Sequence, residues 1–91
     1  MNPSLANCME TYYVYILECK DKHNQITYYT GYTKDLTSRF LQHSQGKGAR
    51  YTKGKKVKLV HFETFDDQGD AMRRELEIKK LSQDQKKDLW Q

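Results

Sequence analysis

The sequence predicts an α/β domain of the α+β kind, a small three-stranded and mainly antiparallel sheet flanked by helices. The expected order is strand, strand, helix, strand, helix, helix. Three observations predict it. Two runs, "TYYVYILEC" over 11–19 and "VKLVHFETF" over 57–65, are dense in β-branched and aromatic residues, as strands are. The turn-like "KDKHN" over 20–24 joins the first run to "QITYYTGY" over 25–32, the layout of a hairpin. The remaining stretches carry capping residues ahead of apolar positions at helical spacing.

In the first strand Tyr13, Tyr15 and Leu17 share one face, and Tyr12, Val14 and Ile16 share the other. Neither face is polar, so this strand is expected at the centre of the sheet, covered on both sides. After the second strand, Thr33 or Asp35 can cap a helix from about Leu36 to Ser44, closed by Gly46. Leu36 and Phe40 lie one turn apart and face the core, while Arg39 and His43 lie one turn apart on a neighbouring face.

The stretch "QGKGARYTKGKK" over 45–56 is too polar and glycine-rich for a core element and is expected to form a mobile basic loop. After the third strand, Asp66 or Asp67 can begin a helix whose apolar side holds Ala71, Met72, Leu76, Ile78 and Leu81. Ser82 with Gln85 has the form of a capping box, so a last short helix should return Leu89 and Trp90 to the body.

A chain of 91 residues fits one small domain, read here as residues 11–91 behind a flexible tail over 1–10. With 36% hydrophobic and 31% charged residues, the core must be thin and filled out by aromatics. Cys8 and Cys19 are too few for a disulfide framework, and His23, His43 and His61 show no zinc-binding spacing. A reducing, cytoplasmic setting is expected, and with no long apolar run no membrane partner is. The formal charge of +4 is unevenly spread. From Leu36 to Phe62 there are seven basic residues and no acidic one, the footprint of a phosphate-bearing partner.

"YVY" at Tyr13 to Tyr15, "YTG" at Tyr29 to Gly31, Arg39 eight residues after that glycine, and Glu75 in a later helix together resemble a GIY-YIG nuclease domain. The resemblance spans about residues 12–90. "GKGARYT" followed by a strand and then "ELEIKKL" is similar to the small single-domain UPF0213 group of that family. The first triad departs from Gly-Ile-Tyr, Tyr32 stands where excision-repair members carry lysine, and no Asn follows Asn24.

The resemblance implies a metal-dependent endonuclease hydrolysing DNA phosphodiesters, in repair or recombination. Phosphodiester hydrolysis itself demands a cation for the phosphoryl oxygens, a base for water, and an acid or metal at the leaving oxygen. Arg39 suits the first role, since guanidinium binds phosphate bidentately and stays charged. By resemblance Tyr15 takes the proton from water, Tyr29 hydrogen-bonds the phosphate or that water, and Glu75 binds a single divalent metal, Mg2+ or Mn2+. His43 can donate to the phosphate or share the base role. Each has a plainer reading, Tyr15 as a core aromatic and Glu75 as the partner of Lys79 in a surface ion pair. His23 and His61 are read as structural.

In the basic loop Lys47, Arg50, Lys53, Lys55 and Lys56 would neutralise phosphates, with Tyr51 stacking on a base. The expected partner is therefore nucleic acid, DNA before RNA, with a further protein supplying target specificity. A second reading keeps the nuclease fold as a catalytically weak or inactive nucleic-acid-binding module. A third has the basic loop docking on an acidic protein.

Overall fold

The computed structural model describes residues 10–91. The expected tail, apart from Glu10, lies outside the described residues, and Cys8 with it. Three strands, β1 (Tyr12–Lys20), β2 (Ile26–Thr33) and β3 (Lys56–Phe65), form one sheet in the order β2-β1-β3. Both pairings are antiparallel. The helices are α1 (Leu36–Ser44), α2 (Gln68–Lys79) and α3 (Gln83–Lys87), with a single 3-10 turn at Arg50–Thr52 between α1 and β3.

β1 is central for the reason its sequence suggested. Val14, Tyr15, Ile16, Leu17 and Cys19 are all buried, which requires cover on both faces. One face packs Val14 and Ile16 with Tyr28, Ala71, Ile78 and Trp90, beneath α2 and α3. The other packs Tyr15, Leu17 and Cys19 with Leu36, Phe40, Val57 and Leu59, on the side of α1. The β1–β3 ladder slips by a bulge at Ile16/Leu17, where Ile16 opposes His61 and Leu17 opposes Leu59.

Of the alternative caps, Asp35 starts α1 by accepting from the Ser38 N–H at 3.1 Å, and Asp67 starts α2 by accepting from the Asp70 N–H at 3.0 Å. Gly46, with φ of 75°, closes α1 in the left-handed conformation that glycine adopts without penalty. The capping box at Ser82 and Gln85 is complete. Behind it α3 covers the outer edge of β2: Gln83 Oε1 accepts from the Tyr28 N–H at 2.9 Å, and Lys86 Nζ donates to the Tyr28 carbonyl at 3.2 Å. The outward N–H and carbonyl of Tyr28 on this edge strand are thereby both satisfied by side chains.

Two expectations are corrected. Met72 and Leu76 do not belong to the apolar side of α2, being 46% and 58% exposed. The helix meets the sheet along the narrow line of Ala71 and Ile78, and at about 100° per residue Leu76 lies roughly 140° from Ala71 whereas Glu75 lies only about 40° away. Nor is the 45–56 stretch free of core contacts, since Thr52 in its middle is fully buried.

Candidate active site

Tyr15 sits midway along β1, opposite Gly31 of β2 and Phe62 of β3. Its ring lies across Gly31, where a Cβ atom would stand 2.5 Å from the Tyr15 hydroxyl. The glycine of "YTG" is thus a matter of space for the neighbouring ring. Tyr29, two residues earlier on the same face of β2, is half-buried. Its ring lies 5.2 Å from the His43 imidazole and stacks on Tyr51 at 5.6 Å.

The last turn of α1 carries His43 into the protein, where it is completely buried. Its Nε2 lies 3.0 Å from Tyr15 Oη, and its Nδ1 lies 2.8 Å from Thr52 Oγ1. Thr52 Oγ1 in turn donates to the Ala49 carbonyl at 3.0 Å. That last bond assigns the protons. A hydroxyl has one hydrogen, and two oxygens at 3.0 Å need it between them, so Thr52 can only accept from His43. With the Thr52 hydrogen on the Ala49 carbonyl, the matching tautomer of His43 has its proton on Nδ1 and an Nε2 lone pair facing the Tyr15 O–H. Gly48 leaves room for this ring, because a Cβ there would come within 2.5 Å of Nδ1.

Burial pushes the Tyr15 hydroxyl up from the ordinary phenol value, opposed by the Arg39 guanidinium and reinforced by Tyr29 and the Glu75 carboxylate. Burial, and after it Arg39, holds His43 below the ordinary imidazole value. Both groups are neutral near pH 7, a phenol donor facing an imidazole acceptor. Arg39 is steadied by donating from Nη1 to Gln42 Oε1 at 3.0 Å, one turn ahead of His43 on α1.

Glu75 stands on α2, and its carboxylate is felt at Tyr15 as a charge that helps to raise the hydroxyl. Its side chain is 17% exposed, close to the line of Ala71 and Ile78, and it forms the expected ion pair with Lys79 at 3.4 Å. Tyr15, Tyr29, Arg39 and His43 are thus brought together from β1, β2 and α1, while Glu75 acts on them from α2 as a neighbouring charge. Among the described residues, no group of three or more His, Cys, Asp or Glu side chains could hold a metal. A lone carboxylate is the donor set that suits Mg2+, which keeps most of its waters, and it does not suit Zn2+.

In the basic stretch Lys47, Arg50, Lys53 and Lys56 are exposed. Tyr51 is exposed, with Tyr29 stacked on it and Lys55 Nζ 3.8 Å from its ring centre. Lys55 and Lys56 also line a cleft of about 350 Å³ with Lys20, Asp21, Lys22, Asn24 and Gly54. Lys20 and Lys22 were missed by sequence reasoning because their turn precedes the basic stretch by some thirty residues, about as far apart in sequence as a hairpin and its partner strand. Thr52 was missed too, although it ends "GKGARYT", four residues after Gly48 and two before Gly54. Of the remaining histidines, His23 is exposed and gives its backbone N–H to Asp21 Oδ1 at 2.8 Å. His61 Nε2 lies 2.8 Å from Glu63, which also accepts from Arg74 at 2.8 and 3.1 Å.

Residues 11–88 match the family described as the GIY-YIG catalytic domain. A UPF0213 protein of Halobacterium salinarum is 49% identical over 80 residues, covering 87% of this chain and 99% of its own length. One from Staphylococcus saprophyticus is 44% identical over 79 residues, covering 86% and 92%. The solution NMR structure of a UPF0213 protein from Bacillus halodurans is 41% identical, with a TM-score of 0.49 over 87% of this chain and 81% of that one.

Proposed function

Because the chain belongs to the GIY-YIG family, and within it to the UPF0213 group, we propose that it is a metal-dependent endonuclease domain that hydrolyses DNA phosphodiester bonds. The observation that carries this reading is the 3.0 Å contact between a neutral Tyr15 and a neutral His43. A buried core tyrosine needs only some partner for its hydroxyl. This one faces the basic nitrogen of an imidazole and lies beside the only arginine of α1.

Arg39 binds the scissile phosphate, and its fixed charge grows in value as negative charge gathers on the phosphoryl oxygens. Tyr29 donates to the same group. Tyr15 takes a proton from the attacking water as its own proton moves to His43 Nε2, so no free phenolate, with its pKa of about 10, has to accumulate first. Glu75 is the residue that would hold Mg2+ or Mn2+. Bound there, the metal would supply positive charge at the leaving oxygen. Arg50, Lys53, Lys55, Lys56 and Lys47 follow the nucleic-acid backbone, contacts that position a duplex without reading its sequence. Branched or damaged duplexes in repair or recombination are the fitting substrates, with target choice assisted by a partner protein. Among the described residues no helix is long and apolar enough to cross a membrane, and the place of action in this reading is the cytoplasm.

A second reading, a binding module without useful turnover, is favoured by one specific fact: Tyr15 is only 1% exposed, so water reaches it only if the pocket opens. The two are separated by cleavage of supercoiled plasmid and of branched DNA, with Mg2+ or Mn2+ against chelator. The nuclease reading expects metal-dependent nicking that falls at least about 100-fold in Arg39→Ala and Glu75→Ala, while DNA affinity stays close to the parent's in Glu75→Ala. Salt-sensitive binding without product would establish the binding module instead.

A further inference from the structure

We propose that Thr52 is a positioning residue for the reaction: from the middle of the basic loop it fixes the tautomer of His43 and so decides which nitrogen faces Tyr15. This rests on the nuclease reading for its kinetic consequence, but its structural content stands on geometry alone. The Thr52 hydroxyl is fully buried, accepts from Nδ1 at 2.8 Å and gives its hydrogen to the Ala49 carbonyl at 3.0 Å. Thr52 is held in turn by its own N–H, which donates to the same carbonyl at 3.1 Å. One carbonyl thus receives both donors of Thr52 and leaves its oxygen with lone pairs alone to offer the histidine.

The alternative tautomer is excluded by the same atoms. With the proton on Nε2, Thr52 would have to donate to Nδ1, and its oxygen would face the Ala49 carbonyl lone pair to lone pair. His43 would then donate to Tyr15 instead of accepting from it, and the proton of Tyr15 would have nowhere to go. Gly48 completes the arrangement, since only glycine allows the chain to pass against Nδ1. The loop that meets the phosphate backbone is therefore also the part that sets the base, so its polar, glycine-rich composition serves two ends.

Around His43 the ionisable neighbours are Tyr15 from β1, Tyr29 from β2 and Arg39 on its own helix, with Thr52 contributing no charge from the loop. The test has two arms. In the first, long-range nitrogen–proton NMR correlations read the tautomer of His43 in the free parent protein, in Thr52→Ser and in Thr52→Val. The parent and the serine variant should carry the proton on Nδ1, and the valine variant should lose that preference. In the second, plasmid cleavage should fall about 10- to 100-fold in kcat for Thr52→Val with KM little changed, and Thr52→Ser should restore it.

A parent with the proton on Nε2, or a valine variant with unchanged tautomer and unchanged kcat, overturns the proposal. Should Thr52→Val fail to fold, the parent spectrum and the serine variant still decide it. A parent that shows the Nδ1 proton yet cleaves no DNA removes the nuclease reading and leaves the placement by Thr52 standing.

Discussion

At the scale of single residues, burial leaves His43 a weaker base than free imidazole and Tyr15 a weaker acid than free phenol, and each change favours the neutral pair. His43 has to be neutral to accept, so cleavage should fall on the acid side with a midpoint below the ordinary imidazole value of 6.5, as a pH profile of kcat/KM would report. A midpoint above 6.5 would remove His43 as acceptor. Stability should follow the same group in a definite direction. The folded pKa is the lower one, so the contribution is complete above pH 6.5 and is lost as pH falls from there through the folded value, where only the unfolded chain takes the proton. Tyr15→Phe leaves the buried Nε2 without its donor and should cost about 1–3 kcal/mol in urea unfolding, beyond ending cleavage. Unchanged stability would mean that the hydrogen bond is weak.

At the scale of elements, neighbouring parts supply space as well as groups. Gly31 on β2 is where the Tyr15 ring rests, and a methyl there would meet the hydroxyl at 2.5 Å and the ring carbon that bears it at 2.6 Å. Gly31→Ala should therefore cost about 1–3 kcal/mol and displace the hydroxyl from His43. A variant as stable and as active as the parent would show that the ring has somewhere else to go. The site is assembled by α1 presenting Arg39 and His43 one turn apart, and by α2 turning Glu75 toward the sheet while Leu76 points out. The cap at Ser82 has an indirect part, because α3 holds both exposed groups of Tyr28 at the β2 edge.

At the scale of the whole molecule, the basic surface is wider than its sequence run. Lys20 and Lys56 stand directly opposite each other in the β1–β3 register, a like-charge pair that costs the sheet stability until an anion sits between them. With Lys22 and Lys55 they line one cleft at the end of the sheet, in which four lysines outweigh the carboxylate of Asp21. Replacing Lys20 and Lys22 by alanine should lower the salt dependence of duplex binding by about 0.9 in log–log slope for each phosphate that is no longer neutralised, measured by fluorescence anisotropy. An unchanged slope would place the nucleic acid elsewhere. Cleavage need not change with it, since neither lysine is near Tyr15 along β1.

The element order, the central place of β1 and the helix starts were all legible in the amino-acid sequence. Those features rest on local signals: two-sided apolar alternation, Asx and serine caps, and glycine at the end of α1. The spacing of "YVY", "YTG", Arg39 and Glu75 also made the family and the candidate residues legible there. That Met72 and Leu76 face water emerged only from tertiary packing, because the burial of an amphipathic helix depends on which line of it meets the sheet. The same packing joined Lys20 and Lys22 to the basic loop and set Thr52 and Gly48 against His43. Those approaches bridge loop and helix or cross strands, and nothing in a polar loop announces which hydroxyl will turn inward to receive a buried proton.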